Sequence, residues 1–114
     1  MAVKELRSKE DLGRELAITG DKFLLFYSAW DPFSLDFIPA FEKLAASTPG
    51  AFYKISSDEQ PELADLFSIV NVPAVIFFRS GKMDRRLDGK PDKGLTAENL
   101  AEFIWLCRGV GKHG

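Results

Sequence analysis

Few side chains in this sequence carry chemistry, and the densest group of them lies in one short stretch, Trp30-Asp31-Pro32-Phe33-Ser34. A carboxylate and a hydroxyl this close invite a nucleophile reading, but a serine attacks only when a base takes its proton. The sole histidine is His113, at the far end of the chain, so Ser34 has no obvious partner of that kind. Asp31 and Asp36 are a conceivable carboxylate pair for acid–base work, yet five positions apart on a helix they do not face one another. The single thiol belongs to Cys107, which if exposed takes up glutathione or forms a disulfide with another molecule. His113 sits in a glycine-flanked tail with no second ligand nearby, which argues against a metal site. No Gly-rich phosphate loop, zinc pattern or nucleophile elbow is present.

The elements around that stretch explain part of it without any chemistry. Phe23 to Ser28 is a near-continuous apolar run, the pattern of a central strand covered on both faces. Asp31 then reads as a helix N-cap, accepting hydrogen bonds from backbone N–H groups that the helix leaves free, and Pro32 suits the first helical position. Phe33, Phe37, Phe41 and Leu44 follow helical spacing; Pro39 removes one backbone bond and predicts a kink, and Thr48-Pro49-Gly50 ends the helix.

Upstream, Val3 to Leu6 predicts a short edge strand. Ser8 begins a helix with Asp11 completing a capping box, Leu12, Leu16 and Ala17 forming its apolar face and Gly20-Asp21 breaking it. Downstream, Ala51 to Ser56 reads as a strand, Pro61 to Phe67 as a short helix, and Ala74 to Phe78 as a strand that turns at Ser80-Gly81 into a hairpin partner, Met83 to Leu87. After a polar loop from Asp88 to Gly94, Thr96 caps a last helix. Its residues Leu100, Phe103, Ile104 and Cys107 share one buried face, which gives the thiol a structural role. The tail from Gly109 to Gly114 is expected to fray, and there is no internal repeat.

With 114 residues, 46% hydrophobic and ten phenylalanines, the chain is expected to form a single domain, 1–114, around a packed core. A net charge of −2 from interleaved acids and bases leaves only Arg85-Arg86 as a basic cluster, hemmed in by Asp84 and Asp88, so nucleic acid is not an expected partner. No apolar run has the length of a membrane span, and Met1 to Glu10 is too charged for a secretory signal. One cysteine makes no internal disulfide. A cytoplasmic monomer is the resulting expectation.

The element order β-α-β-α-β-α-β-β-α predicts an α/β fold, parallel in its first part and antiparallel in its last hairpin. In that order the sequence resembles the thioredoxin family from about Val3 to Cys107. Phe26-Tyr27-Ser28-Ala29-Trp30 is similar to the strand leading to the family's active-site tryptophan, and Pro39 sits where its active-site helix kinks. Lys54-Ile55-Ser56-Ser57-Asp58 with Pro61 resembles the strand and turn before its third helix, and Val72-Pro73 the site of its cis-proline. The resemblance implies a thioredoxin fold, a central mixed sheet of about five strands flanked by about four helices. It also implies a cis bond at Pro73, where the bare sequence favours trans.

The resemblance places Asp31 and Ser34 at the two cysteines of the family's W-C-x-x-C motif, and Leu25 at a buried proton-transferring acid. A thiolate held at a helix N-terminus is the family's nucleophile, and the second thiol resolves the mixed disulfide. Neither a carboxylate nor a hydroxyl can do this, so dithiol–disulfide exchange is excluded at this position. The expected function is therefore a redox-inactive binding, adaptor or chaperone-like domain, without cofactor or metal, holding an extended or unfolded polypeptide against Trp30, Phe33, Val72 and Pro73. The alternative is a redox-homeostasis protein, oxidoreductase or sensor, that acts through Cys107 or through bound glutathione.

Overall fold

The computed structural model describes residues 2–108; the expectations for the tail, including those for His113, lie outside the described residues. Nine elements follow in the expected order: β1 (Val3–Glu5), α1 (Lys9–Leu16), β2 (Lys22–Tyr27), α2 (Pro32–Ser47), β3 (Ala51–Ser56), α3 (Pro61–Leu66), β4 (Ala74–Arg79), β5 (Lys82–Asp88) and α4 (Ala97–Arg108). One sheet orders the strands β1-β3-β2-β4-β5. β2 lies at its centre, parallel to β3 and antiparallel to β4, and β1 runs parallel to β3.

Because neighbouring strand residues point to opposite faces, the apolar run of β2 feeds two cores. Phe23 and Leu25 face α2 and α4 with Phe37, Phe41, Phe52, Val75, Phe77 and Phe103. Leu24 and Phe26 face α1 and α3 with Leu12, Ile55, Leu63, Ile76 and Phe78. Phe23 stacks on Phe52 at 4.8 Å between ring centroids, and Phe41 meets Phe52 edge-on at 5.5 Å. Each of these fully buried side chains contributes about 1.5–3 kcal/mol relative to exposure, so the centre of the sheet fixes the position of whatever follows β2.

The departures from expectation are local. β2 begins one residue early, at Lys22, which is 2% exposed; its ammonium donates to the carbonyls of Ile18, Thr19 and Gly20, partners that make a buried lysine tolerable. α1 ends at Leu16, before Gly20-Asp21, and Ala17 is an exposed C-cap outside the apolar face. At its start the Ser8 hydroxyl accepts the Asp11 N–H at 3.0 Å, but the Asp11 carboxylate reaches one residue further back than in a capping box and accepts the Arg7 N–H at 3.0 Å. Thr96 and Asn99 form a reciprocal cap for α4, each accepting the other's N–H at 3.0 Å.

Both sheet edges are protected against pairing with other chains. β1 has three residues, and β5 is charged and carries a bulge where the register slips between Phe77 and Phe78. The β4–β5 turn places Ser80 at φ 55° and Gly81 at φ 80°, the two positive values that a tight hairpin turn requires.

Candidate functional site

β2 ends at Tyr27 and α2 begins at Pro32, so the stretch Ser28 to Ser34 is held on both sides by core. Asp31 is the N-cap in extended conformation, and its Oδ2 accepts the Ser34 N–H at 2.9 Å. The same oxygen accepts the Ser34 hydroxyl at 3.0 Å. Ser34 Oγ in turn accepts the Ser28 N–H at 3.1 Å. The Ser28 hydroxyl donates to Asp58 Oδ2 at 2.8 Å and accepts the Trp30 N–H at 3.2 Å, and Asp58 Oδ2 also accepts the Ala29 N–H at 3.1 Å.

A continuous polar chain, Asp31–Ser34–Ser28–Asp58, thus ties the start of α2 to the turn after β3, and both hydroxyls donate and accept. Ser34 has no accessible surface, so its oxygen cannot reach a substrate and the nucleophile reading ends there. Asp36 is exposed one turn along α2 and takes no part in the network.

Beside this network opens a shallow cleft of about 440 Å³, whose apolar lining includes Trp30, Phe33, Ile69, Val70 and Val72, with Asp31, Asp58 and Asn71 among the polar groups. Trp30 is 86% exposed and Val70 87% exposed. An indole so far in water covers nothing, so Trp30 does not serve as packing over the helix start. Phe33 is half-buried against the backbone of Gly94, where an added Cβ would stand 2.7 Å from the Phe33 Cβ.

Val72 lines the cleft and precedes a cis peptide bond to Pro73. Pro73 itself is buried and does not line the cleft; its carbonyl accepts the Gly89 N–H at 2.9 Å. A Cβ on Gly89 would meet that oxygen at 2.5 Å, so only glycine lets the two loops approach this closely. Among the described residues, neither the N–H nor the carbonyl of Val72 has a hydrogen-bond partner.

The structure therefore brings together Trp30, Asp31, Phe33 and Val72, with Ser34 and Pro73 as support beneath and Pro32 exposed at the first position of α2. Sequence reasoning missed Val70 and the bonding of Asp58. The available signal for Val70 was a short apolar run, Ile69-Val70, lying between a helix end and Pro73 with no periodic partner.

Cys107 is elsewhere, 2% exposed in the α2–α4 core. Burial pushes its thiol up to about 11; Arg85 and Arg79 oppose this to a smaller extent, and Asp84 and Asp21 add to it. At neutral pH it carries almost no thiolate, the form that reacts. Leu25 is fully buried among apolar side chains. Among the described residues no cluster of His, Cys, Asp and Glu is suited to a metal ion, and no helix is long and apolar enough to cross a membrane.

A mixed sheet in this strand order, covered by helices on both faces and ending β2 in an exposed tryptophan and a helix cap, defines a thioredoxin-like domain. The thioredoxin family model matches residues 5–104, and the chain belongs to that family. A thioredoxin from Alicyclobacillus acidocaldarius is 30% identical over 98 residues, covering 82% of this chain and 93% of that protein. An M-type chloroplastic thioredoxin from Spinacia oleracea is 27% identical over 90% of this chain, and a monothiol glutaredoxin from Arabidopsis thaliana is 30% identical over 82% of it. The matches span only 60% and 20%, respectively, of those two longer proteins. Among solved structures, a mutant thioredoxin from Halobacterium salinarum superposes with a TM-score of 0.83 at 21% identity, covering 95% of this chain and 92% of its own.

Proposed function

We propose that this chain is a binding domain of the thioredoxin family that holds an extended or unfolded polypeptide segment in the Trp30–Val72 cleft, as an adaptor or chaperone-like module and without thiol chemistry. The observation that carries this reading is the pair of apolar side chains left in water, Trp30 and Val70, beside a Val72 backbone whose N–H and carbonyl have no partner among the described residues. An extended segment paired with Val72 satisfies those groups by strand addition while its side chains cover the indole and the valine. Covering two such side chains supplies about 3–6 kcal/mol, comparable to the cost of association itself. Binding is accordingly weak and reversible unless the partner makes further contacts.

The chemistry of the site supports the same reading. The one cysteine is buried and does not line the cleft, and Asp31 and Ser34 are hydrogen-bonded to each other in the place the family resemblance assigns to its thiol pair. A reducing compartment such as the cytoplasm suits a protein with no disulfide to keep. The redox alternative through Cys107 requires that thiol to reach a partner, and its burial argues against that branch.

Trp30 and Val70 are exposed enough to be changed without loss of fold. Trp30→Ser and Val70→Ser are expected to weaken binding of a reduced, amide-alkylated unfolded polypeptide about tenfold in calorimetry while thermal stability stays unchanged. Unaltered affinity in both variants would reject the cleft as the binding site.

A further inference from the structure

We infer that the cleft selects segments carrying a lysine or arginine next to apolar residues; this rests on the binding function proposed above and specifies its partner. Asp31 and Asp58 both line the cleft, and among the described residues no lysine or arginine does. Some carboxylates of the chain have cationic neighbours, with Lys4 serving Glu15, Arg14 serving Asp11, Lys54 serving Glu42, Arg79 serving Asp84 and Arg108 serving Asp21, while exposed ones such as Glu10, Asp36 and Glu62 stand in water without an ion pair among the described residues. Among the described residues Asp31 and Asp58 have none.

Each of the two uses Oδ2 for the internal network, Asp31 toward Ser34 and Asp58 toward Ser28 and Ala29. Each Oδ1 is left without a protein donor among the described residues. The start of α2 compensates part of the Asp31 charge through the helix dipole. Trp30, 86% exposed beside them, offers an aromatic face on which an ammonium or guanidinium group settles. Lys90 and Lys93 line a separate hollow with Leu87 and Leu95, and Arg7 is occupied with Glu59 at 3.8 Å.

A partner side chain with a positive head and an apolar stem matches both halves of this surface, whereas an acidic segment meets two unpaired carboxylates. The preference is electrostatic and partly exposed, so it amounts to about 3- to 10-fold in affinity and fades with salt as screening shortens to about 3 Å at 1 M.

The test uses two short unfolded peptides of identical apolar sequence, one with lysine and one with glutamate at the variable positions, titrated into the labelled protein and followed by amide shifts at low and high salt. Asp31→Asn and Asp58→Asn keep the fold, because asparagine caps helices as well as aspartate and retains an acceptor oxygen. The lysine peptide is expected to bind about 3- to 10-fold more tightly than the glutamate peptide at low salt, and the double asparagine variant to lose that difference. Equal affinities, or a preference that survives in the double variant, would overturn the charge selectivity while shifts at Trp30 and Val72 leave the binding function standing. No shift at the cleft with either peptide would remove the binding function and this inference together.

Discussion

The Ser34 hydroxyl donates to Asp31 Oδ2 at 3.0 Å, and the same oxygen caps α2 by accepting the Ser34 N–H at 2.9 Å. Two residues at the helix start are thereby joined by a polar contact that no reductant can break. Ser34 also passes the connection inward, because its oxygen accepts the Ser28 N–H.

Asp31→Ala removes both the cap and the acceptor of a buried hydroxyl. A lost N-cap costs about 0.5–2 kcal/mol, and an unsatisfied buried group about 1–3 kcal/mol. Urea denaturation should therefore show a loss of about 1–3 kcal/mol, with Asp31→Asn close to the parent. An Asp31→Ala protein as stable as the parent would show that the network adds nothing.

Cys107 should be inert in the native state. A thiol near 11, with 2% of its residue surface accessible, is expected to resist a disulfide reagent at neutral pH until the protein is unfolded, when one thiol per chain reacts. Cys107→Ser is expected to leave polypeptide binding unchanged. Rapid labelling of the folded protein would reopen the thiol-based reading.

Tyr27 and Tyr53 give a pH signature. Burial first, and then donation to a carboxylate, raise both phenols: Tyr27 donates to Glu5 Oε2 at 2.8 Å and Tyr53 to Glu15 Oε1 at 2.7 Å. Because the folded values lie above the unfolded value of about 10, the stability they contribute is complete below that pH and is lost as pH rises through the folded values. On the acid side, the Tyr53 and Lys4 hydrogen bonds lower Glu15, so its contribution is present above the ordinary carboxylate value and is lost as pH falls through the lowered one. Phenolate absorbance should stay low past pH 10 for as long as the circular dichroism is native. Ordinary titration of both tyrosines in the folded protein would contradict the geometry.

Much of this molecule was legible in its sequence because the signals were local and mutually consistent. Nine of the ten phenylalanines lie along strands and helices, and a Pro32 after Asp31 and Gly81 after Ser80 each specify backbone that the structure adopts. The Cys107 phase on α4 was readable in the same way. What escaped depends on contacts between distant segments. Asp58 reaches Ser28 across thirty positions, and Gly89 and Gly94 are small because Pro73 and Phe33 press on them. The end of α1 escaped for a different reason: the Lys22 ammonium serves the carbonyls of Ile18, Thr19 and Gly20 that follow it, a role that a hydrophobic pattern does not register.

Binding at the cleft without thiol chemistry is tested most directly by an amide-shift titration of the labelled protein with an unfolded, cysteine-containing polypeptide, once under reducing and once under oxidising conditions. Shifts centred on Trp30, Phe33, Val70 and Val72, equal in both conditions, are the predicted result. A silent cleft, with Cys107 and its neighbours responding only under oxidising conditions, would contradict the proposal and assign the protein a thiol-based role.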